Sequence, residues 1–238
     1  MKQIIKRTIQ KIGFDLKRMT PFDNPAFQIL LGLQKFHIDL VFDVGANTGQ
    51  FAQQLRTVGY SGRILSFEPL SDAYAKLIEN SARDPKWEVH DRCAIGDNEG
   101  EISINIAGNS LSSSILPMLK AHSSADVVSA YVGSEIVALR RLDSVALDYV
   151  GDSTNFFVKI DTQGFEWQVL EGGLSTLKRA RGVLLELSLV PLYEGQRLWR
   201  DLVNRLESEG FILWALQKGF TDPRDGRTLQ ADAIFFRE

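Results

Sequence analysis

The stretch that most constrains this chain is Val41-Phe42-Asp43-Val44-Gly45-Ala46-Asn47-Thr48-Gly49-Gln50-Phe51, an apolar run that ends in an acid and opens into a loop of small residues. It reads as a buried strand from Leu40 to Val44, a turn whose glycines permit close backbone approach, and a helix opening near Gly49. Such strand-loop-helix units cradle nucleotides, with the loop's free N–H groups and the helix N-terminus facing the ligand. The helix, Gln50 to Val58, is followed by a turn at Gly59 to Gly62 and a second strand, Arg63 to Phe67, that ends in Glu68-Pro69. A chain of this kind is expected to fold as α/β with a doubly wound parallel sheet.

The loop chemistry narrows the ligand. Asp43, two residues before the first glycine, would repel a pyrophosphate but suit a cation such as an ammonium or sulfonium. Gly45 and Gly49 frame G-x-x-x-G, with Asn47 where the second glycine of the dinucleotide fingerprint belongs, and no Lys-Ser/Thr pair follows as in a P-loop. Glu68 stands where an acid can accept from both hydroxyls of a ribose. Asp43 and Glu68 together therefore point to an adenosyl ligand carrying a positive charge.

With these residues in view, the chain resembles the S-adenosylmethionine-dependent methyltransferases of the FkbM type. The resemblance rests on VFDVGANTGQF, on Phe67-Glu68-Pro69 and on VKIDTQGFEWQVLEG from Val158 to Gly172, and runs from about Val41 to Glu186, more loosely between Gly96 and Val150. It implies a single mostly parallel seven-stranded sheet of class I methyltransferase type, with a β-hairpin insertion and an antiparallel C-terminal edge strand. It also implies O-methylation of small molecules, often sugar hydroxyls or polyketide alcohols. The cofactor residues it suggests are Asp43, Gly45, Ala46, Asn47, Gly49, Glu68 and Pro69, with Cys93 and Ala94 beside the adenine. One departure stands out: the family's Asp-x-Glu-Gly is Asp161-Thr162-Gln163-Gly164 here, which keeps length and hydrogen bonding but loses a charge.

Composition bounds the reading. A length of 238 residues suits one α/β domain, and 44% hydrophobic with 24% charged residues is ordinary for a soluble globular protein. With 27 basic and 30 acidic residues the net charge is −3, which gives a nucleic-acid partner no support. The single Cys93 forms no internal disulfide, and no apolar stretch reaches membrane-spanning length, so a cytoplasmic location is expected. Residues Met1 to Met19 place six basic side chains against Asp15, with isoleucines at near-helical spacing, and predict a basic amphipathic helix. It suits packing on the domain, or contact with an anionic membrane surface. Residues 1–36 are read as an N-terminal helical part of the same domain and 37–238 as the methyltransferase domain.

Further along, Ser71 is expected to cap a helix through Arg83, Trp87 to Ile95 to form a third strand, and Glu101 to Ile106 another. Between Gly108 and Ser134 lies a polar insert whose Asn109, Ser110, Ser112, Ser113 and His122 are candidates for hydrogen bonding to a hydroxylated acceptor. A strand at Glu135 to Leu139 and a helix from Arg141 to Tyr149 follow. Phe156 to Ile160 then forms a strand that ends at Asp161, and Gly182 to Leu187 another that contains Glu186. Arg197 to Glu209 reads as a helix, and Phe211 to Leu216 with Ala231 to Phe236 as a closing antiparallel pair. Ligands of open α/β sheets lie over the carboxyl ends of the strands, so Asp161 is the candidate base for a hydroxyl, or a holder of a divalent cation that acidifies it. Lys159, Glu166 and Glu186 complete the candidate catalytic set. The readings left open are a module that binds the adenosyl ligand without catalysis, as Gln163 allows, and a nicotinamide-dependent oxidoreductase.

Overall fold

A computed structural model describes residues 20, 21 and 23–238. The helix expected over Met1 to Met19 lies outside the described residues. Seven strands form the main sheet: β1 (Leu40–Val44), β2 (Arg63–Phe67), β3 (Trp87–Val89), β7 (Phe156–Ile160), β8 (Gly182–Ser188), β9 (Ile212–Lys218) and β10 (Gln230–Phe236), in the spatial order β3-β2-β1-β7-β8-β10-β9. All are parallel except β10, which runs antiparallel to both β8 and β9 and lies between them. The C-terminal antiparallel pair thus closes this end of the sheet, with β9 outermost. Every residue of β1 and β7 is buried, as expected of parallel strands covered on both faces.

Successive side chains of each strand serve opposite layers. Val41, Ile64, Phe157 and Ile234 pack under α1 (Pro25–Lys35), α2 (Gln50–Val58) and α3 (Ser71–Ser81). Phe42, Phe156, Val158 and Phe235 pack under α5 (Leu142–Ala146), α6 (Glu166–Gly172), α7 (Leu174–Arg179) and α8 (Trp199–Ser208). Asn24 caps α1 by accepting from the Phe27 N–H at 3.0 Å, and Pro25 occupies the first turn, where its missing N–H costs nothing. Among the described residues no helix is long and apolar enough to cross a membrane.

The expected third strand breaks in two. Trp87–Val89 pairs with β2, but the chain leaves the sheet at His90-Asp91-Arg92, whose polar side chains interrupt the alternation. It resumes as β4 (Ala94–Gly96) in a second sheet, parallel to β6 (Tyr131–Arg141), which pairs antiparallel with β5 (Gly100–Ala107). This is the hairpin insertion, and β6 outruns Glu135 to Leu139 at both ends. Its long connection carries α4 (Lys120–Ala125). The helix expected through Tyr149 ends at Ala146 and tightens into a 3-10 turn, Leu147–Tyr149. Ser71 is the first residue of α3 rather than its cap; its N–H donates to Glu135 Oε1 at 2.8 Å, which ties the helix to the insertion.

The second sheet seats on α6 through a backbone contact. A Cβ added at Gly172 would stand 1.8 Å from the Gly96 carbonyl oxygen. Gly172→Ala is therefore expected to destabilise the protein by about 1–3 kcal/mol or more, read as a lower urea midpoint with unchanged slope. A wild-type midpoint would contradict this contact.

Candidate active site

The register aligns three strand ends. Val44 lies opposite Phe67 on one side and Ile160 on the other, so Gly45, Glu68 and Asp161 leave the sheet side by side. They do so where the winding reverses, between β1 and β7, which is where open α/β sheets hold ligands. A cleft opens there, lined by Gly45, Asn47, Glu68, Asp161 and Gln163 among others. Pro69, Cys93 and Ala94 belong to the same lining, with Phe67 and Ile95. Burial pushes the Cys93 thiol up to about 12, which makes it a wall residue and not a nucleophile.

Glycine is needed at Gly45 twice over. Its φ is +75°, and a Cβ there would stand 1.9 Å from the Asp161 carbonyl oxygen, because the two loops cross in contact. The Gly45 and Ala46 N–H groups both donate to the Phe67 carbonyl, at 3.1 and 3.0 Å, so these donors hold the cradle together. Ala46 is buried, and Gly49 packs against Trp87; neither lines the cleft. Glu68 closes the cradle from the second strand: Oε2 accepts from the Asn47 N–H at 2.7 Å and Oε1 from the Leu70 N–H at 2.9 Å. Burial raises its carboxyl to about 7, against the pull of those two N–H groups and of Lys159.

Asp43 is where the sequence reading and the geometry part. Its side chain is fully buried, absent from the cleft, and 3.0 Å from Lys159 Nζ. Ser66 Oγ donates to its other oxygen at 3.4 Å. Adjacent in-register positions on β1 and β7 face the same layer, which a strand read alone does not reveal. The charge expected to meet a ligand's cation instead neutralises a lysine. Lys159 Nζ also donates to the Gly45 carbonyl at 2.8 Å and lies 3.7 Å from Asp161 Oδ2. Burial would lower its pKa, but Asp43 and Asp161 outweigh that and raise it. The ammonium thus pins the start of the cradle loop and faces Asp161 from behind.

Asp161 shares the cleft with Glu68 but is more open to it, its side chain 35% exposed. Gln163, in the left-handed region at φ 54°, turns its amide back between two acids. Its Nε2 donates to Asp161 Oδ1 at 2.9 Å and to Glu186 Oε2 at 2.8 Å, while Oε1 accepts from the Tyr193 hydroxyl at 2.8 Å. Gln230 Nε2 donates to the same Glu186 oxygen at 2.6 Å. Burial, then the charges of Asp161, Glu166 and Asp232, push the Glu186 carboxyl well above its ordinary range. Glu166 is buried and faces inward: Oε1 accepts from the Thr162 and Gly164 N–H groups, both at 3.0 Å, which fixes the loop around Gln163. Among the described residues no group of three or more His, Cys, Asp or Glu is arranged to hold a metal ion.

Of the insert candidates, Ser110 and Ser113 line the cleft, and Asn47 Nδ2 donates to Ser110 Oγ at 3.3 Å. Asn109 and Ser112 bond to each other, and His122 is buried against the rings of Tyr193 and Phe220. Sequence reasoning passed over Tyr193, Ser114, Gln230 and Asp232. No local pattern marks them, since each reaches the site from a distant segment.

The Methyltransferase FkbM domain model matches residues 43–213 of this chain. The 2-O-methyltransferase NoeI of Sinorhizobium fredii is 29% identical over 176 residues, which cover 71% of this chain and 71% of that protein. The hexuronic acid methyltransferase AglP of Haloferax volcanii is 25% identical over 182 residues, covering 74% and 70%. Among solved structures, Aeropyrum pernix fibrillarin with natively bound S-adenosyl-L-methionine aligns over 83% of this chain and 66% of its own, at 11% identity and a TM-score of 0.46. The matched span runs from the last residues of β1 through Gly45, Glu68, Asp161 and Gln163 to the start of β9, and the chain belongs to the FkbM methyltransferase family.

Proposed function

We propose that this protein is an S-adenosylmethionine-dependent O-methyltransferase acting on a hydroxyl of a saccharide or other small molecule. The observation that carries the reading is the convergence of Gly45, Glu68 and Asp161 on one cleft at the reversal of the sheet. A 2-O-methyltransferase and a hexuronic acid methyltransferase among the relatives support the acceptor class.

The cleft fits the cofactor. Glu68 has lone pairs left to accept from ribose hydroxyls, and Phe67, Cys93, Ala94 and Ile95 form an apolar wall for a base. Acidic side chains outnumber Lys159 around the cleft, which suits a ligand of net positive charge. When bound, S-adenosylmethionine supplies a methyl group activated by a sulfonium. Asp161 then takes the proton of the acceptor hydroxyl, while Lys159 and Gln163 hold the carboxylate in place. The insert places Ser110 and Ser113 on the cleft wall, where their hydroxyls can hydrogen-bond an acceptor.

Transfer of tritiated methyl from S-adenosylmethionine to a panel of mono- and oligosaccharides tests the reading; incorporation into a hydroxyl is expected, and none into any member with cofactor bound would overturn the acceptor class. Glu68 adds a pH signature. A cationic ligand favours its ionised form, so cofactor affinity is expected to rise with pH up to about 7 and level off above, with proton release on binding. Calorimetry in buffers of different ionisation heat reads both, and a flat affinity would remove Glu68 from the binding site.

A further inference from the structure

Gln163 is fixed more tightly than a loop side chain requires. The two carboxyl acceptors draw the NH2 end of the amide toward the acids, the Tyr193 hydroxyl lies nearer Oε1, at 2.8 Å, than the Ser112 carbonyl, at 3.2 Å, and Ser114 Oγ donates to the Gln163 main-chain carbonyl at 2.6 Å. Both amide hydrogens are then used, one on Asp161 Oδ1 at 2.9 Å and one on Glu186 Oε2 at 2.8 Å. Two carboxyl groups drawn to one point are ordinarily joined by a shared proton or a bound cation. We propose that Gln163 Nε2 occupies the place of a bridging cation, so that an uncharged positioning residue holds Asp161 and Glu186 at a fixed separation with no divalent ion between them. The functional consequence, a base aimed at the cleft, rests on the methyl-transfer reading; the bridge itself does not.

Gln163→Glu exchanges the double donor for a third carboxylate at the same point, which creates an oxygen site for a divalent ion. In metal-stripped buffer the wild type is expected to melt at the same temperature with and without about 1 mM Mn²⁺, whereas Gln163→Glu melts lower and regains several degrees when Mn²⁺ is added. Gln163→Leu, which lacks both donor and charge, is expected to melt lower and ignore Mn²⁺, so the cation response separates bridging from a loss of packing. A wild-type response equal to that of Gln163→Glu, or a Gln163→Glu protein indifferent to Mn²⁺, would overturn the inference. If Gln163→Glu does not fold even with Mn²⁺, the wild type decides: a Mn²⁺ response that Asp161→Asn abolishes overturns the bridge, and no response supports it. These readouts need neither acceptor nor cofactor. A failed methyl-transfer assay leaves them standing, and their failure leaves cofactor binding untouched.

Discussion

Asp161→Asn is expected to lower kcat by about 10²–10⁴-fold, the range typical of losing a positioned general base, while S-adenosylmethionine affinity stays within a few-fold. The substitution keeps the size of the side chain, and its amide oxygen can still accept from Gln163 Nε2, so the loop has a reason to stay in place. What disappears is the group that takes the proton. Single-turnover transfer with labelled methyl donor, beside a binding isotherm for the same variant, separates the two. Unchanged transfer would remove Asp161 from the chemistry, whereas equal losses in binding and transfer would make it a cofactor contact.

Asp43→Ala is expected to act first on stability. The pair with Lys159 is buried on both sides, and Lys159 keeps only a more distant carboxylate once Asp43 is gone. Removing one partner of a buried ion pair costs about 3–5 kcal/mol, because the remaining charge stays out of water without compensation. That is a large share of a typical domain's total stability, so the variant is expected to be largely unfolded or to melt far below the wild type. Replacing both members, as in Asp43→Leu with Lys159→Met, leaves no lone buried charge and is expected to recover most of the loss. Denaturant unfolding of Asp43→Leu, Lys159→Met and the double closes the cycle. If Asp43→Ala unfolds like the wild type but loses the cofactor, Asp43 is a ligand contact after all.

The outcome for Asp43 shows what kind of information the sequence carries. The run from Leu40 to Phe51, the return strand ending at Glu68 and the strand ending at Asp161 are legible because each is local: an apolar run, then an acid, then a turn. Their order also determines that the three ends meet, since right-handed crossovers on a parallel sheet leave few arrangements. What a side chain faces across the sheet depends on register. Asp43 lies beside Lys159 only because Leu40 pairs with Phe156, a fact held in neither segment alone. The same holds for the amide network. Gln163 reads as a lost charge in the sequence and becomes a double donor only when Glu186, 23 residues on, and Tyr193, 30 residues on, are brought to it. The broken third strand had a local signal, the polar run at His90 to Arg92, but the destination of β4 is set by its pairing with β6, more than forty residues later.

Glu166 makes the same point in the other direction. As a first-turn helix acid it could have faced the ligand; in the structure its carboxylate turns inward and gathers the N–H groups of the loop that carries Gln163. A charge near a site is thus not yet a charge in it, and Asp161 differs from Glu166 chiefly in reaching the cleft.

The claim on which the functional reading depends is that the cleft over β1, β2 and β7 holds an adenosyl cofactor with a charged amino-acid tail. Calorimetric titration of the purified protein with S-adenosylhomocysteine, with reduced nicotinamide dinucleotide as the control, tests it most directly. Binding with a Kd of about micromolar order for the first and none for the second is the predicted result. Binding of the dinucleotide with no response to S-adenosylhomocysteine would contradict the account at its base.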